Sequence, residues 1–176
     1  MRIISGIYKG RRIRPPINLP VRPTTDYAKE GLFNVLNNLI DFEETSVLDL
    51  YAGTGNITFE FVSRGVTDIL AIDIERRCVE FINQTVERLG IEGVTARRMN
   101  VNVFLRQAFQ KFDLVFADPP YEMDGIALLP EQILNTGVLN TGGMLILEHS
   151  KTNSFTDHPC FDQLREYGKV HFSIFR

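Results

Sequence analysis

Leu114-Val115-Phe116-Ala117-Asp118-Pro119-Pro120-Tyr121 is a short apolar run closed by an acid, two prolines and an aromatic ring. β-Branched and aromatic residues in such a run predict a buried strand. The prolines fix φ and donate no N–H, so the strand stops there and the loop beyond it is stiff. One carboxylate, one proline carbonyl and one ring are thereby held in fixed relation at a strand's C-terminal end. Alone, this is as compatible with a rigid turn after a core strand as with a site. In open α/β sheets that end is where ligands bind, so the flanking sequence has to decide.

Outward from this strand, signals of period two and period 3.6 alternate. Residues 47–51, 69–73, 94–99, 113–117 and 144–148 have strand composition. Between them lie helical patterns at 56–64 (stopped by Gly65), over a long stretch with Val79, Ile82, Val86 and Leu89 on one face, at 101–109, and at 126–134. Strict alternation implies an α/β fold with a mostly parallel sheet, right-handed crossovers and helices on both faces. The pattern breaks after Glu148: residues 151–159 have loop composition, and 163–175 predict a final antiparallel hairpin turning near Gly168. Upstream, Thr24, Thr25 and Asp26 are N-cap candidates for a helix with Ala28, Leu32, Val35, Leu36 and Leu39 on its buried face. No internal repeat or second domain is evident, so residues 1–176 are expected to form a single domain.

The first predicted strand carries Asp49 and runs through Tyr51 into Ala52-Gly53-Thr54-Gly55, a loop that allows close backbone approach and points a helix N-terminus at its ligand. Asp73 follows Gly53 by 20 residues at the end of the next strand, the spacing at which an acid accepts ribose hydroxyls. Ile74 adjoins it. Together these predict an adenosine-bearing cofactor. A dinucleotide fingerprint wants a third glycine where Thr58 stands, and Asp49 would repel a pyrophosphate. The same carboxylate suits the cationic methionine end of S-adenosylmethionine, held directly or through water. Asn100, at the end of the third strand, is placed to accept from the adenine amino group, with the Val101 N–H donating to the ring. An N-cap role for Asn100 is compatible with this.

Charge is distributed unevenly. The net charge is −3, but residues 1–25 carry Arg2, Lys9, Arg11, Arg12, Arg14 and Arg22 and no acid, hence +6 against −9 for the remainder. An acidic body with a basic arm fits a local phosphate-binding surface rather than a uniformly basic nucleic-acid binder. Residues 2–6 and 11–13 predict a β-hairpin, and Pro15, Pro16 and Pro20 a stiff link to the body, leaving the arm as an appendage. No apolar run approaches the roughly 18 residues of a membrane span. Cys78 and Cys160 are too few for a zinc site or a disulfide framework, which points to a reducing, cytoplasmic setting. His149, His158 and His171 follow no catalytic spacing, and no metal is expected.

With Asp49, Asp73 and Asp118-Pro119-Pro120-Tyr121 in this order, the chain resembles class I methyltransferases acting on exocyclic amines. More closely it is similar to the bacterial 16S rRNA (guanine(966)-N(2))-methyltransferase family. The matching residues run nearly end to end: Arg2-Ile3-Ile4, Gly6, Gly10-Arg11, Arg22-Pro23-Thr24-Thr25-Asp26, Glu30 and Leu32-Phe33-Asn34. The resemblance implies a seven-stranded Rossmann-like sheet, S-adenosylmethionine as cofactor, and 16S rRNA of the 30S subunit as substrate. A monomer is expected, with no membrane partner. It further implies that the Asp118 carboxylate and the Pro119 carbonyl bind the two hydrogens of guanine N2, with Pro120 stiffening the loop and Tyr121 stacking on the base. There are departures. Tyr27-Ala28-Lys29 stands where the family commonly has Arg-Val-Arg, which would weaken or move an RNA contact. Asn100 replaces a common Asp, though the contact needs only an acceptor. The usual helix after the fifth strand is expected to be degraded or missing. Glu148 matches a family acid and has no role from sequence alone. A DNA adenine-N6 methyltransferase is the alternative enzyme, a protein-glutamine methyltransferase a weaker one, and a non-catalytic ribosome-assembly factor the alternative from another class.

Overall fold

Apolar residues alternate along the central strands, and the alternation sends them to opposite faces of one sheet. The computed structural model describes residues 1–17, 19 and 24–176. Strands β1 (Ser46–Leu50), β2 (Asp68–Asp73), β3 (Val94–Arg98), β4 (Phe112–Ala117), β5 (Leu139–Ser150), β6 (Phe161–Tyr167) and β7 (Val170–Phe175) lie in the order 3-2-1-4-5-7-6. The first five pair in parallel, and β7 runs antiparallel to both β5 and β6. The helices are α1 (Asp26–Leu36), α2 (Asn56–Ser63), α3 (Arg76–Leu89), α4 (Val101–Gln107) and α5 (Leu129–Leu134), the last preceded by a 3-10 turn at Ile126–Leu128.

Val47, Leu114, Phe116 and Ile146 pack on one face with Leu32 and Phe33 of α1, Phe59 of α2 and Ile82 of α3. Leu48, Val115 and Leu145 pack on the other with Phe104 and Leu105 of α4 and Leu129 and Ile133 of α5. Each such side chain, once buried, contributes about 1.5–3 kcal/mol. The result is the expected Rossmann-like, mostly parallel sheet of seven strands. β1 has β2 on one side and β4 on the other. The strand order therefore reverses between β1 and β4, which opens a crevice at their C-terminal ends.

The boundaries differ in places. β5 begins at Leu139, well before its apolar run, because backbone pairing carries it through Gly142 and Gly143, with a register shift against β4 between Phe112 and Leu114. The helix expected over 126–134 splits, its α-helical part starting with Pro130 in the first turn. Residues 151–160 form turns and no helix, as the composition predicts.

The N-terminal arm is more firmly joined than an appendage. Its hairpin is reduced to one antiparallel rung, Arg2 opposite Arg12, with the Ile3 N–H on Arg11 O and the Ile13 N–H on Met1 O, each 3.0 Å. Ile3 and Ile13 are buried in the same core as α1 and α2. Gly6, at φ 81°, sits so close to the end of α2 that a Cβ would lie 1.6 Å from Ser63 O. Only glycine allows that approach.

Candidate active site

The glycine loop between β1 and α2 is shaped by three positive φ values: Tyr51 at 60°, Gly53 at 54° and Gly55 at 77°. A left-handed tyrosine is uncommon and costs of order 1–3 kcal/mol, a strain that clusters at functional sites. The Gly53 N–H donates to Asp73 Oδ2 at 2.7 Å, and Asp73 Oδ1 accepts from the Glu75 N–H at 2.7 Å. The sequence spacing of these two residues thus closes physically, with the acid at the end of β2 clamping the loop that follows β1. Gly55 faces α2 and α3 instead. A Cβ there would meet the Phe59 and Ile82 side chains at 2.9 and 3.0 Å, so its smallness serves helix packing rather than ligand approach.

Asp49 is buried in β1 and accepts from the Thr58 hydroxyl. Burial pushes its pKa up to about 7; the Thr58 hydrogen bond opposes the shift and the neighbouring Asp73 charge adds to it. Thr58, visible in the sequence only as a missing glycine, is therefore the hydroxyl that orients this acid. Asn100 N-caps α4, its Oδ1 accepting from the Val103 N–H at 3.2 Å, and Val101 opens that helix.

In the sheet register Ala117 lies opposite both Leu50 and Leu147. One step beyond, Tyr51, Asp118 and Glu148 share the C-terminal edge. The Asp118 N–H still donates to Leu50 O at 3.3 Å, so the motif stays tied to β1 after β4 ends. Pro119 is buried, and the Met123 N–H closes a turn on Pro120 O at 2.9 Å. That turn sets Met123 Sδ 3.7 Å from Tyr51 Oη. Tyr121 Oη donates to Glu148 Oε1 at 3.0 Å, and Thr24 Oγ1 donates to Glu148 Oε2 at 2.8 Å. Glu148 is only 3% exposed.

A cavity of about 590 Å³ brings these groups together. Of the residues predicted for cofactor and base, Asp49, Tyr51, Ala52, Gly53, Thr54, Asp73, Ile74, Asn100, Val101, Asp118, Pro119, Pro120 and Tyr121 line it, and Gly55 does not. Thr24, Asn56 and Met123 line it too, and so does Glu148, which closes the fifth strand beside the pocket as its sequence position suggests. The volume is in the usual range for a small-molecule site. Among the described residues no three His, Cys, Asp or Glu side chains are grouped to hold a metal.

Among the described residues, the basic side chains of the arm lie outside the cavity lining. Arg11, Arg12 and Arg14 flank a shallow groove of about 380 Å³ whose far wall is Arg88 and Leu89 of α3. Arg88 extends the positive surface and was hidden in sequence within a helix of mixed charge. Arg2 pairs with Asp26 at 3.2 Å, Lys9 is exposed, and Arg22 lies outside the described residues. Lys29, by contrast, is 1% exposed and donates from Nζ to Arg2 O at 2.7 Å and Asn56 Oδ1 at 2.8 Å, beside Glu60 at 3.6 Å. The departure at Tyr27-Ala28-Lys29 therefore leaves a cation that faces the interior rather than solvent.

The family described as Conserved hypothetical protein 95 matches residues 1–176. The ribosomal RNA small subunit methyltransferase D of Buchnera aphidicola subsp. Baizongia pistaciae is 28% identical over 99% of this chain and 91% of its own length. The protein of the same name from Escherichia coli K12 is 27% identical over 90% of this chain and 79% of its own. Among solved structures, a putative methyltransferase from Escherichia coli, yhhF, matches with a TM-score of 0.86 at 25% identity, covering 99% of this chain and 96% of that one.

Proposed function

The chain belongs to the Conserved hypothetical protein 95 family, and from that premise we propose that it methylates small-subunit rRNA with S-adenosylmethionine, at the exocyclic N2 amine of a guanine. The observation that carries this reading is the single cavity in which Asp49, Asp73 and Asn100 stand beside Asp118-Pro119-Pro120-Tyr121. The donor set fits the cofactor: acceptors at Asp73 for ribose hydroxyls, an amide oxygen at Asn100 for an adenine amine, and a buried acid at Asp49 for a cation. When bound, S-adenosylmethionine supplies a methyl group made electrophilic by the adjacent sulfonium.

The remaining work falls to the chain's own residues. Guanine N2 is a weak nucleophile because its lone pair is delocalised into the ring. The Asp118 carboxylate and the Pro119 carbonyl accept its two hydrogens and favour the pyramidal nitrogen, which returns the lone pair to nitrogen. Tyr121 stacks on the base; such contacts are worth about 1–3 kcal/mol per base, against the few kcal/mol that unstacking costs. Rate enhancement then comes from positioning and electrostatics, with Asp118 as acceptor rather than as a strong base. The test is methyl transfer from labelled cofactor to 30S subunits, free 16S rRNA, duplex DNA and protein in parallel. Label confined to rRNA is the expected result. Label in DNA as N6-methyladenine would replace this reading with that of a DNA enzyme.

A further inference from the structure

A line of buried polar side chains runs from the N-terminal arm to the tyrosine of the motif. Lys29 holds Arg2 O and Asn56 Oδ1; Asn56 Nδ2 donates to Thr24 O at 3.0 Å; Thr24 Oγ1 donates to Glu148, which also accepts from Tyr121 Oη. Buried polar groups are usually bonded simply because leaving them unbonded is costly. Two features go beyond that. The line joins the arm, α1, α2, β5 and the loop after β4, and Asn56, Thr24, Glu148 and Tyr121 all face the cavity. Moreover its hub is a carboxylate, the group most costly to desolvate, with one oxygen on the tyrosine and the other on the threonine that follows the arm.

We propose that Glu148 is a positioning residue. It fixes the position and long axis of the Tyr121 ring and, through Thr24 and Asn56, makes that position depend on the docked arm. A tyrosine held at its backbone and at Oη keeps only rotation about its own long axis, so the stacking platform is organised before a base arrives. The arm would then do two things: engage the RNA backbone and complete the seat for the base. The inference rests on Tyr121 being the stacking platform.

The test does not require methyl transfer. The protein has five tyrosines; incorporation of 3-fluorotyrosine gives each a fluorine resonance, and Tyr121→Phe assigns the one that matters. Thr24→Val, which leaves Tyr121 and its acceptor in place, and Glu148→Gln are both expected to shift or broaden the Tyr121 line. The lines of Tyr8 and Tyr167 should stay in place and so report an intact fold. A Tyr121 line unmoved by both substitutions overturns the proposal. In turnover on rRNA, Glu148→Gln is expected to lower kcat by about tenfold to a hundredfold, as small misplacements of a reacting pair do, with KM for the cofactor unchanged. A wild-type protein that transfers no methyl group to rRNA would refute the functional reading and leave the fluorine result to stand or fall by itself.

Discussion

On the proposed reading, a single residue, Asp49, would make cofactor binding depend on pH. Its pKa is pushed up to about 7 by burial, so this acid changes protonation state within the neutral range. A cationic ligand binds the ionised form, and affinity is therefore expected to rise as pH increases through about 7 and to level off above it. Below that point each pH unit should cost up to about tenfold. Titration calorimetry across pH 5.5–8.5 checks this; a flat profile, or one unchanged by Asp49→Asn, would contradict it. For Asp118, removal of one preorganised polar contact to the reacting amine is expected to lower turnover by about 10²–10³, and single-turnover kinetics of Asp118→Ala within tenfold of the wild type would count against its role. Asp49, Asp73 and Asp118 were legible in the sequence because local chemistry marks them: each closes a strand or precedes a glycine or proline loop. The roles of Thr58, Thr24 and Glu148 were not, since their partners are brought near only by the fold.

The elements were legible wherever hydrophobic period and breakers agreed, as in β1, β2, β4 and the hairpin of β6 and β7. They were less so where backbone pairing rather than side chains extends an element, as in β5 from Leu139 to Gly143. The arm was misjudged for a different reason: its charge was visible, but the burial of Ile3 and Ile13 depends on α1 and α2. At that junction Glu60, fully buried, accepts from the Ile4 N–H at 2.8 Å, the Ser5 N–H at 3.1 Å and Arg64 Nε at 3.0 Å, with Lys29 alongside. Burial lowers the Lys29 pKa from its ordinary value, against the raising effect of Glu60. Breaking a buried pair from one side typically costs about 3–5 kcal/mol. Lys29→Met is accordingly expected to lose about that much stability in urea unfolding and to raise hydrogen exchange at Ile3 and Ile13. A variant as stable as the wild type, with the arm still protected, would mean that the ammonium is not what holds the two together.

At the scale of the molecule, net charge is negative, but Arg11, Arg12 and Arg14 of the arm gather with Arg88 of α3 around one groove. Neutralising Arg11, Arg12 and Arg14 is expected to weaken rRNA binding and to flatten its salt dependence by about two in log–log slope, given roughly 0.7 per neutralised phosphate contact on single strands. Adding Arg88→Gln should flatten it further. An unchanged slope would return these arginines to a solvated surface. On the proposed reading, the crevice between β1 and β4 and the two motifs that meet there are where chemistry would occur, and the arm and its groove are what would engage the RNA. The central claim is that a guanine amine is the group presented to Asp118. Its most direct test is nucleoside analysis of 16S rRNA and 30S subunits after incubation with the protein and isotopically labelled S-adenosylmethionine. The account predicts label in N2-methylguanine, lost with Asp118→Ala; label in any other nucleoside, or in N2-methylguanine at an undiminished rate in that variant, would contradict it.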